Sequence, residues 1–296
     1  MKVLNYGSLN VDYVYSVDHI IVGGETQHSS KLETFSGGKG LNQSIALAKA
    51  GVPVYHAGIV GTDGDILLEA CKEAGVNTKY IRRLPVKGGH TMIQVDKNAQ
   101  NCIILYGGTN QMQTKEFVDE VLADFGEGDY LILQNEVNLL DYIIDQAYEK
   151  KMKIVLNPSP FDDKLNTCDL GKVYLFLLNE IEGEQITGYK DKDQILDALA
   201  EKFPNARFVL TLGSDGAVYY DGKEKVFQDI FKVKAVDTTA AGDTFTGYFI
   251  AALIDGKSIQ EALRMAAKAS SIAVSRPGAT PSIPKMEEVK KELGML

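Results

Sequence analysis

The sequence predicts an α/β fold: a largely parallel sheet covered by helices on both faces, with a small second β-sheet projecting from its edge. Three observations support this. Short β-rich apolar runs alternate with helix-period segments along most of the chain. No Pro/Ser-rich linker or fixed-period repeat divides the 296 residues into separate units. Two stretches, about Asp12 to Phe35 and about Val86 to Tyr106, each read as strands without an intervening helix.

In chain order, Val3–Tyr6, Tyr55–Val60, Tyr130–Leu133, Ile154–Leu156, Val173–Leu178 and Phe208–Leu212 are continuous apolar runs. Such runs suit strands buried on both faces. Helical periodicity predicts helices over Leu41–Ala50, Asp65–Ala74, Lys115–Asp124, Leu139–Lys150 and Lys192–Lys202. Thr91–Val95 and Cys102–Tyr106 flank the polar segment Asp96–Asn101 as the arms of a hairpin do. With the stretch from Asp12 to Phe35 they form the predicted lid on a single domain, 1–296. Beyond the strands Ala217–Tyr220 and Val226–Ile230 the chain turns helical, and Ser258-Ile-Gln-Glu261 is a capping box for a helix running towards Ser275.

Composition excludes several classes. The chain is 45% hydrophobic and 24% charged, with a formal charge of −9, which opposes a general nucleic-acid surface because phosphate contacts need clustered Lys and Arg. No apolar run approaches the ~18 residues of a membrane span. Asn5, Gly7, Asn10 and Asp12 interrupt any secretory apolar segment. The cysteines, Cys71, Cys102 and Cys168, are odd in number and form no CxxC. Reduced thiols in a cytoplasmic protein are the expectation.

The strongest chemical signal is Asp237-Thr-Thr-Ala-Ala-Gly-Asp243-Thr-Phe-Thr-Gly, followed by an apolar helical run. A loop of small residues feeding a helix start presents N–H groups and the positive dipole end to an anion. Ala240, Ala241 and Gly242 leave room for a phosphate, and Asp243 stands where it can take a proton from an attacking hydroxyl. The same segment also reads as an Asp N-cap after a turn.

A second signal is Phe35-Ser-Gly-Gly-Lys-Gly-Leu-Asn-Gln43, read as a loop before a helix at Ser44–Ala50. Gly38 admits close backbone approach, and Lys39 and Asn42 supply donors. The segment lacks the Walker A spacing, and Gln43 stands where a dinucleotide fingerprint needs its third Gly. The α/β alternation alone would permit a dinucleotide-dependent oxidoreductase, and the missing Gly opposes it.

These segments, in this order, resemble the ribokinase branch of the PfkB carbohydrate kinase family, and the resemblance spans essentially the whole chain. It implies a three-layer ribokinase-like fold and transfer of the γ-phosphoryl group of ATP to a small carbohydrate hydroxyl, D-ribose to ribose 5-phosphate being favoured. Fructokinase, other pentose kinase and nucleoside kinase activities belong to the same family. A non-catalytic sugar sensor is the further alternative, and retention of Asp243 opposes it.

By the same resemblance, Gly7-Ser-Leu-Asn10-Val-Asp12 matches the opening strand, whose Asn10 and Asp12 hold sugar hydroxyls, joined by Gly38, Lys39, Asn42 and the Glu136 of Gln134-Asn-Glu136. Asn179-Glu-Ile-Glu182 matches the motif that organises Mg²⁺ and phosphates, Glu182 acting on the metal largely through water. Thr211-Leu-Gly213-Ser-Asp-Gly216 matches the turn along the nucleotide. The loop Ala273-Val-Ser-Arg276-Pro-Gly278-Ala-Thr-Pro-Ser282, with Asp237 and Thr239, resembles one that encloses an activating K⁺; a Pro/Gly turn ending a helix is the other reading. The lid keeps Gly24-Glu-Thr26 but departs from the family around His19, His90 and Tyr106. Homodimerisation through the lid edge is implied as well.

Overall fold

The structure, a computed structural model, describes residues 1–98 and 100–295. Ala99, within the predicted turn Asp96–Asn101, lies outside the described residues, as does Leu296. The chain opens with β1 (Val3–Tyr6), β2 (Asn10–Ser16), β3 (Lys31–Gly37), α1 (Lys39–Lys49), β4 (Val54–Val60), α2 (Asp65–Ala74) and β5 (Asn77–Arg83). There follow β6 (Gly89–Val95), β7 (Asn101–Tyr106), α3 (Lys115–Leu122), β8 (Tyr130–Gln134), α4 (Leu140–Glu149), β9 (Lys153–Asn157) and β10 (Leu175–Asn179). The last third holds α5 (Glu180–Thr187), α6 (Lys192–Lys202), β11 (Arg207–Thr211), β12 (Ala217–Tyr220), β13 (Lys225–Gln228), α7 (Ala241–Ile254), α8 (Ile259–Val274) and α9 (Met286–Glu292).

A nine-stranded sheet runs in the order β13-β12-β11-β10-β9-β8-β1-β4-β5. Its pairs are parallel from β5 through to β11, and β12 and β13 add an antiparallel edge. The strand period of two splits each buried run between two cores. Val3, Ile132, Leu177 and Val209 meet Leu41 and Ile45 of α1, Phe249 of α7 and Leu263 of α8. Leu4, Leu131, Phe176 and Phe208 meet Phe117 of α3, Ile143 of α4 and Leu196 of α6 on the other face. This is a layered sheet with helices on both sides, as the alternation predicts.

The small sheet has the order β3-β2-β6-β7. β2 pairs antiparallel with β3 and parallel with β6, and β6 pairs antiparallel with β7. Two boundaries read from the sequence need correction, and one strand goes beyond that reading. β5, too charged to look like a buried run, is an edge strand of the large sheet. β10 begins at Leu175, because the chain from Leu170 to Lys172 winds into a short 3₁₀ turn. Above all, α1 starts at Lys39 rather than Leu41 or Ser44, so Lys39, Asn42 and Gln43 are helical. Gly40 in that first turn looks like a loop residue by propensity, and tertiary contact overrides the propensity.

Candidate active site

α1 reaches the site because two backbones touch. A Cβ on Gly40 would lie 2.4 Å from the Ser8 nitrogen and 2.7 Å from the Gly7 Cα, so only glycine lets the helix start rest on the bend between β1 and β2. Lys39 and Asn42 consequently share one cavity with Asn10 and Asp12 of β2, Gly38 and Glu136. The cavity holds about 460 Å³ and is roofed by Ile93 of β6 and by Ile103 and Leu105 of β7. His90 and Tyr106 are not among its walls. They pack on each other, ring centroids 5.0 Å apart, and His90 Nδ1 meets the Gly88 carbonyl at 3.0 Å.

Three polar groups not singled out for the site in the sequence set its shape. Thr91 Oγ1 donates to Asp12 Oδ1 at 2.6 Å, and Asn110 Nδ2 donates to Asn10 Oδ1 at 2.7 Å. The Ser8 hydroxyl donates to Glu136 Oε2, which also accepts from the Lys39 N–H at 3.1 Å. Asn110 is 100 residues from its partner, so no local pattern announces it.

The cavity is electrostatically loaded. Burial pushes the Asp12 carboxyl up to about 6, with Thr91's hydrogen bond opposing and Glu136 adding to the rise. Burial also raises Glu136, although Lys39 and the Ser8 hydroxyl pull the other way. For Lys39 burial works to lower the ammonium, but Asp243, Glu136 and Glu182 together hold it above the ordinary lysine value. A lysine that stays charged among three carboxylates suits a site where polyanions and hydroxyls meet.

Asp243 projects from the first turn of α7 and is buried. It is not a capping residue. The N-cap is Ala240, whose left-handed φ of 59° turns the chain into the helix with no side-chain cap. The first-turn N–H groups therefore face outward without an intrahelical acceptor, apart from Ala241, whose N–H reaches the Thr238 carbonyl at 3.2 Å. The Asp243 carboxylate is held from α1: Asn42 Nδ2 donates to one oxygen and Gln43 Nε2 to the other, both at 2.9 Å. α7 comes that close because a Cβ on Gly247 would stand 2.4 Å from the Ala46 Cβ.

Asn179, Glu182, Thr211, Thr239 and Ala240–Gly242 continue the same cavity away from Asn10 and Asp12. Asn179 and Glu182 form a full capping box on α5. Glu182 accepts from the Asn179 N–H at 3.0 Å and from its side-chain amide at 3.1 Å, while Asn179 Oδ1 accepts from the Glu182 N–H at 2.9 Å. A second cavity of about 700 Å³ opens beyond, with Gly213, Gly216, Phe231, Phe245, Ala267 and Val274 among its walls. The two cavities share Thr211, Thr238, Ala241 and Gly242. A polar chamber and a largely apolar one thus meet at the N-terminus of α7.

The last group of predicted residues assembles behind this helix start. Asp237 Oδ1 accepts from Thr239 N–H at 2.8 Å and Thr239 Oγ1 at 2.6 Å, and Oδ2 accepts from Gly278 N–H at 2.9 Å. The Ala273 carbonyl accepts from the Arg276 N–H at 3.0 Å, and buried Ser282 donates to the Ala279 carbonyl at 2.7 Å. Arg276 pairs with Glu288 at 2.5 Å. Among the described residues no cluster of three or more His, Cys, Asp or Glu forms a metal site, and no helix is long and apolar enough to cross a membrane.

Residues 1–286 match the pfkB family carbohydrate kinase, and the chain belongs to that family. It is a sugar kinase by membership, which sets the oxidoreductase reading aside. Among its relatives, the ribokinase of Haemophilus influenzae is 34% identical, the match covering 95% of each chain. The ribokinase of Staphylococcus aureus is also 34% identical, over 98% of this chain and 99% of its own. The structure of Arabidopsis thaliana ribokinase complexed with ribose and ATP superposes with a TM-score of 0.88 at 30% identity, covering 99% of this chain and 98% of that one.

Proposed function

We propose that this protein is an ATP-dependent ribose kinase that forms ribose 5-phosphate, with Asp243 as the catalytic base. The single observation carrying this reading is the pair of cavities that share a wall at the start of α7, with Asp243 on the polar side. Phosphoryl transfer asks chiefly for positioning and charge stabilisation. The polar chamber offers acceptors and donors for vicinal hydroxyls in Asn10, Asp12, Lys39, Asn42 and Glu136. The apolar chamber suits a nucleoside, leaving its phosphates to cross the shared wall. The complex of the Arabidopsis relative with both ribose and ATP supports placing the two substrates in one molecule.

Asp243 takes the proton of the acceptor hydroxyl as that oxygen attacks the γ-phosphorus and the bond to the leaving ADP breaks. The outward N–H groups of the first turn of α7 and the loop before it, Ala240 to Gly242, stabilise the charge on the transferring group, helped by the helix dipole. Lys39 adds a fixed positive charge. Mg²⁺, when bound with ATP, neutralises phosphate charge; both Glu182 oxygens already accept hydrogen bonds, which fits contact through water rather than direct ligation. Asp237, Thr239 and the carbonyls and hydroxyl of the 273–282 loop, from Ala273, Arg276 and Gly278 to Ser282, are the hard oxygen donors that would hold K⁺.

The small sheet acts as a lid over the sugar, and its open edge as a homodimer contact. Exposed Leu32, Met92, Ile104 and Tyr106, spread over β3, β6 and β7 of that sheet, support the contact, since an open apolar surface is otherwise an aggregation site. The three free thiols, Cys71, Cys102 and Cys168, suit the cytoplasm. A coupled assay of ADP release over ribose, 2-deoxyribose, fructose and nucleosides tests the assignment. Ribose is expected to give the highest kcat/KM; a hexose or nucleoside in first place would leave only the broader sugar-kinase reading, and no turnover on any acceptor would favour a sugar sensor.

A further inference from the structure

A buried polar chain runs from His56 on β4 to Asp243, and its direction is set by backbone carbonyls. His56 is fully buried. Its Nε2 meets the Gly7 carbonyl at 3.3 Å and its Nδ1 meets Ser44 Oγ at 2.7 Å. A carbonyl only accepts, so Nε2 carries the proton. Burial pushes this imidazole down to about 4, so the neutral ring accepts at Nδ1 from the Ser44 hydroxyl. Ser44 Oγ then has to accept from Asn5 Nδ2, at 2.9 Å.

The Gly40 carbonyl imposes the same orientation on Asn5, accepting from Nδ2 at 2.7 Å. Asn5 Oδ1 therefore faces Gln134, whose Nε2 donates to it at 3.0 Å and to Gln43 Oε1 at 2.7 Å. With its carbonyl engaged there, Gln43 has only its N–H to offer Asp243 Oδ1, at 2.9 Å. Every amide in the chain has one permitted orientation. The order is kept although Gln134 Oε1 is left buried and unpaired, because turning that amide would oppose two acceptors.

Asn42 and Gln43 are neighbours on α1 that divide the Asp243 carboxylate between them, but only Asn42 lines the sugar cavity. Gln43 lies behind it, fully buried. We propose that Gln43 is a positioning residue for phosphoryl transfer: its amide N–H aims Asp243 at the acceptor hydroxyl, and the buried chain through Gln134 and Asn5 fixes which way that amide faces. The inference rests on the reading of Asp243 as the base. It predicts an effect on turnover with no effect on the binding of either substrate, since Gln43 touches neither.

The test is a double-mutant cycle on the full-length protein, with ribose and ATP as substrates. Gln43→Met keeps the volume and removes the donor. It is expected to lower kcat about tenfold while both KM values stay within about twofold of the wild type. Asp243→Ala should be far slower, and adding Gln43→Met to it should cost nothing more, because there is no longer a carboxylate to aim. Losses that multiply in the double variant, or a raised KM for ribose at unchanged kcat, would overturn the inference while leaving the base reading intact. Near-native turnover in Asp243→Ala would sink both. Should Gln43→Met fail to give a cooperative urea transition, Gln134→Met leaves Gln43 in place and frees its carbonyl. A smaller kcat loss that again vanishes in the Asp243→Ala background supports the inference, and an unchanged kcat refutes it.

Discussion

Asn42 and Asp243 stand 201 residues apart in the chain and meet through a 2.9 Å hydrogen bond. The bond joins the helix that lines the polar chamber to the helix whose start lies between the two chambers. It holds the carboxylate in the polar chamber, beside the wall that the two chambers share. Its consequences can be measured.

Replacing Asp243 with Asn keeps the shape and removes the base, leaving one oxygen where Asn42 Nδ2 and Gln43 Nε2 each had their own. Turnover is expected to fall by roughly 10²–10⁴, the contribution of a positioned base, with ATP affinity close to wild type and a cooperative unfolding transition lowered by about 1–3 kcal/mol for the donor left without an acceptor. Steady-state kinetics beside nucleotide titration checks this, and a variant with native kcat would remove Asp243 from the mechanism.

Sugar binding should weaken in acid. Asp12 has its carboxyl raised from 3.8 to about 6, so it loses its charge, and part of its capacity to accept from hydroxyls, as pH falls through about 6. Because the folded value lies above the ordinary one, this group favours the folded state as pH drops, and the loss of affinity is not unfolding. Calorimetric titration with ribose between pH 5 and 8 should show the dissociation constant rising below about 6. Asp12→Asn should bind more weakly throughout and lose that dependence; a wild-type profile flat across the range contradicts the assignment.

A site shaped to pair with a hydroxyl penalises an analogue that lacks it, because its buried partners are left unmatched. Ribose is therefore expected to exceed 2-deoxyribose in kcat/KM. Asp12→Ala should reduce kcat/KM for ribose by about 1–3 kcal/mol of transition-state binding and leave the KM for ATP nearly unchanged. Equal rates on ribose and 2-deoxyribose would mean that no group in the chamber reads the 2-hydroxyl.

Potassium should raise activity at constant ionic strength, with Na⁺ and Li⁺ doing less. The motive is the turn at Asp237 and Thr239 lying against the loop from Ala273 to Ser282, tied by the Gly278 N–H. Rates that are the same with and without K⁺ would leave the loop a purely structural closure.

The contact between α1 and α7 leaves no space for a methyl group at Gly247. Gly247→Ala should lower unfolding free energy by about 1–3 kcal/mol through overpacking, and kcat should fall with it as Asp243 moves off Asn42 and Gln43. Urea denaturation and kinetics on the same preparation check both; an unchanged midpoint would show that the helices part without cost.

The sequence by itself determined the layered fold, because buried strands and amphipathic helices write their periods of 2 and 3.6 into the order of apolar residues. It also marked Asp237–Asp243 as a candidate for chemistry, because small residues and a carboxylate at a helix start form a contiguous pattern. Asn10 and Asp12 were indicated only by the resemblance to the family. Other features were open to no local reading. Gly40 looks like a loop breaker, and its helical place depends on Gly7 standing 2.7 Å from where its side chain would be. β5 carries too many charges to read as a sheet strand, and its pairing with β4 settles it. Gln43 looks like a failed glycine of a dinucleotide motif until Asp243 and Gln134, 200 and 91 residues away, are seen to hold its two ends. Periodicity records which face of an element is buried. Which polar groups meet across elements depends on the close approach of backbones far apart in the chain, and that was decided only by the tertiary structure.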